Sequence, residues 1–201
     1  MSKLKFGLVG AGGIAQAYAQ AFNESECCEL VAVADVRPEA AAALAEIAGG
    51  KAYGDYKQLA DIKLDAVIVA TPPSTHPEIA CFFMELAKPV LCEKPLTTNL
   101  ADAEKMIATA QKNNVLFTMA SKFRYCDDVI KAKGILASGM LGDVLQFENA
   151  FTAKVDMSKR WNSDEAISGG GVLIDNGTHS VDIIRYFLGS IESVLVVDAG
   201  D

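Results

Sequence analysis

Between Lys5 and Ala15 the chain reads Lys-Phe-Gly-Leu-Val-Gly-Ala-Gly-Gly-Ile-Ala, an apolar strand-like run that passes directly into a glycine-rich turn and a helix. Gly10, Gly12 and Ala15 fit the pattern G-x-G-x-x-G/A. In that pattern the first glycine makes the turn, the second lets backbone approach a pyrophosphate, and the third small residue lets helix and strand pack closely. The helix starting near Gly12 would point the free N–H groups of its first residues, Gly13 and Ile14 among them, at the phosphates, where the macrodipole favours negative charge. A tight strand-to-helix turn with no ligand would need the same glycines.

The next run narrows the choice. Glu29 to Asp35 (Glu-Leu-Val-Ala-Val-Ala-Asp) is apolar and rich in valine, and it ends in a carboxylate. Asp35 lies ~20 residues beyond the glycine turn, where a dinucleotide fold needs an acceptor for the ribose 2′-hydroxyl. This argues for NAD. Arg37, two residues on, could hold a 2′-phosphate instead, so NADP stays open. A surface Asp capping the helix that begins near Pro38 is the simpler alternative.

With 201 residues, of which 51% are hydrophobic and 22% charged, the chain can bury a core and suits one domain and part of another. Its formal net charge of −8, without a basic tail or lysine stripe, speaks against nucleic acid. No stretch approaches the ~20 apolar residues of a membrane span. The five cysteines, Cys27, Cys28, Cys81, Cys92 and Cys126, are odd in number and form no C-x-x-C pair, as expected of reduced thiols in a cytoplasmic protein. Only His76 and His179 could join them on a metal, and neither lies near a cysteine cluster, so no metal site is expected. The N-terminus superficially resembles a secretory signal, but cleavage there would remove the first strand.

Further along, the spacing predicts a helix over 38–47, a short strand over 51–53 and a short helix over 56–60. Strands follow at 65–70, 89–92 and 115–120, separated by a helix after Thr71-Pro72-Pro73-Ser74-Thr75-His76 to about Leu86 and another, capped by Asn99, to Asn113. The continuous β-branched run at 65–70 suits a strand buried on both faces. Six alternations in 120 residues imply a doubly wound parallel sheet, the Rossmann arrangement, whose ligands bind at the carboxyl ends of the strands. Those ends carry Gly10 to Gly12, Asp35, Thr71, Pro72 and His76, and Glu93 to Pro95.

After Ala120 the pattern changes. A helix is predicted over 125–137, an antiparallel strand with one wet face over 143–152, a loop over 157–168, a helix over 175–188 and an apolar strand over 191–199. Two strands and two helices leave hydrophobic edges open. The expectation is a Rossmann domain at 1–120 followed by a truncated α+β domain at 121–201 with a mostly antiparallel sheet.

Lys94, in Glu93-Lys94-Pro95 after a buried strand, can donate hydrogen bonds to a substrate hydroxyl and favour a developing alkoxide; a solvated lysine in an X-Pro turn is the alternative. Asp175 and His179 are four residues apart and would share one helix face, where the helix terminus favours an ionised Asp175 and a neutral His179 able to act as a base. A capping Asp beside a surface His would look the same. Gly169-Gly170-Gly171 upstream would let substrate or cofactor approach the backbone. His76 is assigned to the cofactor ribose or amide, with a local cap as the other option.

Gly10-x-Gly12-x-x-Ala15, the segment Thr71 to His76, Glu93-Lys94-Pro95 and the segment Gly169 to His179, in this order, resemble the Gfo/Idh/MocA oxidoreductases over essentially the whole chain. The resemblance implies a nicotinamide cofactor held by the first domain, with Thr71, Pro72, Glu93 and Lys94 at its edge, and a sugar, nucleotide sugar or cyclitol whose hydroxyl is oxidised or carbonyl reduced. Lys94 would orient the hydroxyl, His179 would take its proton, and Asp175 would hold substrate or assist. Family members carry a larger sheet in the second domain, used for substrate walls and oligomer contacts, so a homo-oligomer is expected of the full-length protein. Arg124-Tyr125 and Arg160-Trp161-Asn162 are candidates for substrate specificity, since an Arg binds a carboxylate or phosphate bidentately and a Trp stacks on a sugar. A structural salt bridge and a core aromatic fit those residues equally well.

The leading expectation is an NAD(P)-dependent dehydrogenase. A non-catalytic dinucleotide-binding regulator on the same scaffold, or a glycosidase using NAD for transient oxidation, are the alternatives.

Overall fold

Six strands, β1 (Leu4–Val9), β2 (Cys28–Ala34), β3 (Lys51–Tyr53), β4 (Ala66–Val69), β5 (Val90–Cys92) and β6 (Phe117–Met119), make one sheet in the computed structural model of the chain. The structure describes residues 2–152, 154, 156 and 161–197, and of Trp161 the backbone alone. The strand order is β3-β2-β1-β4-β5-β6, and every pairing is parallel. Chain direction along the sheet reverses between β1 and β4, which opens a crevice at their carboxyl ends.

The connecting helices are α1 (Gly13–Glu24), α2 (Pro38–Ala48), α3 (His76–Glu85) and α4 (Leu100–Asn113). Local chemistry sets their ends. Pro38 opens α2 with its preset φ, and Gly49 closes it in the left-handed region at φ 78°. The Asn99 side chain accepts the Asp102 N–H at the start of α4. The predicted helix at 56–60 is a 3-10 turn, Tyr56–Leu59.

The sheet separates two cores. Val67 and Val69 of β4 join Val9, Phe83, Met84 and Met106 on one face, while Ile68 joins Leu8, Ala15, Leu30 and Leu44 on the other. The period of two sends neighbouring side chains to opposite faces, which is why a central parallel strand is apolar at every position. Each such burial contributes roughly 1.5–3 kcal/mol. Ala15 and Ala19 of α1 are wholly buried; larger side chains there would lift the helix off the strand.

Beyond the sheet, a 3-10 turn (Lys122–Tyr125) leads to α5 (Asp127–Ala137), and a turn at Trp161–Ser163 leads to α6 (Glu165–Ser168), α7 (Val172–Asp175) and α8 (Gly177–Leu188). The predicted loop over 157–168 is therefore partly helical, with 157–160 outside the described residues. Neither predicted strand of this half forms among the described residues: 143–152 and 191–197 carry no ladder. A strand exists only through a neighbour's hydrogen bonds, and these segments find none, leaving Leu145, Leu195 and Val197 exposed. Residues 198 and 199 of the second predicted strand lie outside the described residues.

Among the described residues, no helix is long and apolar enough to cross a membrane, and no cluster of three or more His, Cys, Asp or Glu could hold a metal ion. All five cysteines are free thiols.

Candidate active site

Gly10 takes φ +101°, and a Cβ there would come within 2.5 Å of the Ala70 carbonyl oxygen, so this turn closes only around glycine. Over Gly12 and Gly13 the space is open: a Cβ at either would meet nothing within 4 Å. No side chain caps the N-terminus of α1, and its first turn holds no acid. Its orphan N–H groups and positive dipole end therefore face free space, an arrangement that fits a pyrophosphate.

Asp35, at the end of β2, closes the turn from the other side. Its Oδ2 accepts the Ala11 N–H at 2.7 Å, and its Oδ1 accepts the Arg37 N–H at 2.9 Å and Nε at 3.1 Å. Burial works against the charge on Asp35, but these donors outweigh it and hold the carboxyl below its ordinary range. The ion pair is lopsided: the Arg37 side chain is 57% exposed and that of Asp35 9%. The arginine can swing away while the carboxylate stays. Both predicted residues thus sit beside the glycine turn.

Along the same edge, the Glu93 carboxylate accepts the Tyr18 hydroxyl at 2.7 Å and the Lys94 N–H at 3.1 Å, tying α1 to the end of β5. Burial, then the Glu93 charge, pushes the Tyr18 phenol well above its ordinary value, so it stays a donor. The predicted cofactor contact at Glu93 is, in the structure, first of all a brace.

Lys94 reaches across to the other half of the chain. Its Nζ donates to Asp175 Oδ1 at 2.5 Å and to the Asp175 carbonyl at 3.3 Å. The second oxygen of Asp175 accepts from Asn162 Nδ2 at 3.1 Å. Both charged side chains remain about one-fifth exposed, enough for a small molecule to reach them.

Asp175 and His179 do not lie on one unbroken helix. Asp175 ends α7 and His179 lies in α8, with Asn176 between them at φ −91° and ψ −30°, close enough to helical that the one-turn spacing survives. His179 is 8% exposed, edge-on to Phe123 at 4.9 Å, with Phe151 at 6.0 Å. Burial, then the Lys94 and Lys122 charges, lowers its pKa, and Asp175 and Asp182 only partly oppose this. The imidazole is therefore neutral near pH 7. Spacing alone points to the helix terminus as the cause, whereas in the structure burial comes first. Lys94 and His179 line one cavity of about 370 Å³ together with Ile14, Tyr18, Lys122 and Tyr125. Ile14 and Tyr125 therefore face the space between the two halves of the site.

Three expectations are corrected. His76 is wholly buried, with Nε2 2.8 Å from the Thr71 carbonyl and Nδ1 3.1 Å from the carbonyls of Pro95 and Leu96. It has no face left for a cofactor and packs between the Thr71-Pro72 turn and the Glu93-Lys94-Pro95 turn, its one N–H donating to a carbonyl of one of them. Arg124 spends its guanidinium on Asp182, with contacts of 2.6, 2.8 and 2.9 Å, and lies over the Tyr186 ring, so the structural salt bridge is the one formed. Of the three glycines expected to admit a ligand to the backbone, Gly169 is taken by Thr98, whose Cβ a Cβ there would approach within 2.5 Å, so that α6 docks beside the Lys94 turn, while over Gly171 the space stays open. Arg160 and the Trp161 side chain lie outside the described residues.

Of the expected specificity residues Asn162 does reach the site, through Asp175, while Tyr18, Lys122 and Asp182 join it outside the sequence expectations. Asp182 and Tyr186 follow His179 by three and seven residues, a same-face spacing that could have found them. Tyr18 and Lys122 gain their meaning only from contacts across the fold.

Residues 4–121 match the oxidoreductase family with an NAD-binding Rossmann fold, and residues 129–199 match the GFO/IDH/MocA C-terminal domain. The chain belongs to the Gfo/Idh/MocA oxidoreductases. Among Gfo/Idh/MocA relatives, it is 32% identical over 190 residues to glucose-6-phosphate 3-dehydrogenase of Bacillus subtilis, covering 92% of this chain and 54% of that protein. It is 30% identical over 190 residues to myo-inositol 2-dehydrogenase of Thermotoga maritima, covering 92% and 55%. The crystal structure of GenD2 from gentamicin A biosynthesis, in complex with NAD, superposes with a TM-score of 0.82 at 27% identity, covering 94% of this chain and 54% of that one. The chain spans about half the length of the curated relatives it matches.

Proposed function

We propose that the protein transfers hydride between a nicotinamide cofactor, NAD in preference to NADP, and a hydroxyl or carbonyl of a sugar, nucleotide sugar or cyclitol. The observation that carries this reading is the convergence of Lys94, paired with Asp175, and a buried, neutral His179 on one cavity beside the uncapped start of α1. Gly12, Gly13 and the first N–H groups of α1 would hold the pyrophosphate, and Asp35 would take the ribose hydroxyls as Arg37 withdraws. The bound nicotinamide supplies or accepts hydride. Lys94 donates a hydrogen bond to the reacting oxygen and its charge favours the alkoxide, while His179 takes the hydroxyl proton in oxidation and returns it in reduction. Asp175 aims Lys94 and, with Asn162, supplies acceptors for the sugar's other hydroxyls.

Residues 1–120 would then be the cofactor domain, and 121–201 would contribute to the walls of the substrate site and to contacts in a cytoplasmic homo-oligomer. The exposed apolar side chains of 191–197 suit such contacts.

Titrating the chain with NADH and NADPH and following cofactor fluorescence tests the cofactor assignment, with tighter NADH binding expected. Lys94→Ala and His179→Ala should each lower turnover by at least about two orders of magnitude while cofactor affinity is kept, as for a positioned acid–base group. Near-normal turnover in either variant would remove that residue from the mechanism.

A further inference from the structure

Between the end of α1 and the start of β2, Ser25 Oγ accepts the backbone N–H groups of Cys27 at 3.3 Å and Cys28 at 3.0 Å, drawing residues 25–28 into a hook. With its lone pairs so used, the hydroxyl's own proton is left to donate to Cys27 Sγ, 3.5 Å away. Lys3 Nζ donates to the Ser25 carbonyl at 2.6 Å and holds an ammonium beside the hook. Cys27 is exposed, Cys28 is half-buried, and their sulfurs lie 3.6 Å apart.

We propose that Cys27 and Cys28 form a vicinal dithiol site that undergoes reversible thiol–disulfide exchange with low-molecular-weight disulfides, Cys27 attacking and Cys28 resolving. The two thiols are unequal in the way this chemistry needs. The Ser25 hydroxyl, then the Cys28 thiol and Lys3, lower the Cys27 pKa, whereas burial raises that of Cys28. The thiolate is the nucleophile, and Cys27 is also the sulfur that solvent reaches. Cys81 lies in α3, Cys92 in β5 and Cys126 just before α5.

With glutathione disulfide as oxidant, the Cys27 thiolate attacks one of its sulfurs. The S–S bond breaks, a Cys27–glutathione disulfide forms, and one glutathione thiolate leaves. Cys28 then gives up its proton to water and attacks Cys27 Sγ, expelling the second glutathione thiolate. Two protein thiols are oxidised and one disulfide is reduced to two thiols. Adjacent Cα atoms are ~3.8 Å apart, shorter than the ~4.4–6.8 Å that disulfides prefer, so the closed ring reopens readily with excess thiol. The hook lies at the opposite end of β1 and β2 from Gly10 and Asp35, so its chemistry can be read independently of cofactor binding.

The test is to treat the reduced, folded chain with glutathione disulfide, quench with acid and weigh the peptide containing both cysteines. Loss of two hydrogens without retained glutathione is expected, reversed by excess glutathione. Cys28→Ser should retain one glutathione on Cys27, and Cys27→Ser none on Cys28. Ser25→Ala should move the midpoint of Cys27 alkylation to higher pH. A Cys28→Ser chain that takes up no glutathione, a wild-type chain that keeps glutathione without closing the ring, or single variants that react alike would each overturn the proposal.

Discussion

At His179, burial beside Phe123 and Phe151 and the ammonium groups of Lys94 and Lys122 act in one direction, against a proton on the ring. A base that must be neutral then stays competent below the ~6.5 of an exposed imidazole. The acid limb of the kcat/KM profile should accordingly lie below that pH. Lys122→Glu replaces a repelling charge with an attracting one and should move the limb to higher pH; an unmoved limb in the pH–rate profile would show that Lys122 does not reach the base. His76 obeys the same physics to a different end, because burial lowers its pKa although three carbonyls face its ring. Its folded pKa lies below the unfolded one, so its contribution is present above ~6.5 and is lost as pH falls through the folded value. His76→Phe keeps the bulk but removes the ring N–H that a neutral imidazole donates to one of these carbonyls, and should cost ~1–3 kcal/mol in denaturant unfolding. It should also flatten the acid dependence of stability. Turnover should fall with it, since the Lys94 turn loses its brace.

At the scale of elements, the site is a set of joints between secondary structures. Tyr18 to Glu93 joins α1 to β5, His76 joins the start of α3 to the turn after β5, Lys94 joins that turn to α7, and Arg124 joins the turn after β6 to α8. The Tyr18 joint leaves a carboxylate short of a donor when cut. Tyr18→Phe should therefore cost ~1.5–3 kcal/mol of stability, as for hydrogen bonds to charged groups, measurable by denaturant unfolding. If the joint also sets the distance between the glycine turn and Lys94, NADH affinity falls in the same variant. These joints explain why glycine stands where it does after α6: the φ of +76° at Gly169 and its contact with Thr98 let one half of the site dock on the other.

Taken whole, the molecule is two halves of unequal order. The sheet buries β1 and β4 on both faces between two cores, while 143–152 and 191–197 have no ladder and expose Leu145, Leu195 and Val197. Backbone amides without intramolecular partners exchange readily with solvent. Hydrogen exchange should therefore show slow amides in β1 and β4 and fast ones in 143–152 and 191–197. Protection of the latter in the free chain would mean that they pair, with each other or between copies.

What could be read from one dimension is what depends on local spacing. The glycine turn, Asp35 some two dozen positions later, the β-branched run at 66–69, the Asn99 cap and the order of Lys94, Asp175 and His179 are set by φ preference, helix dipole and residue period, all of which act over a few residues. From these the doubly wound sheet and its ligand edge followed. The second half read poorly because strand identity at 143–152 and 191–197 depends on a partner that alternation cannot supply. Which polar groups were already spoken for emerged from the packing of distant segments. His76 and Arg124 have the chemistry of ligand contacts, but backbone carbonyls of the Lys94 turn and a carboxylate 58 positions away in sequence had satisfied them first. A donor takes the acceptor that the fold brings to it, and sequence spacing does not encode that distance.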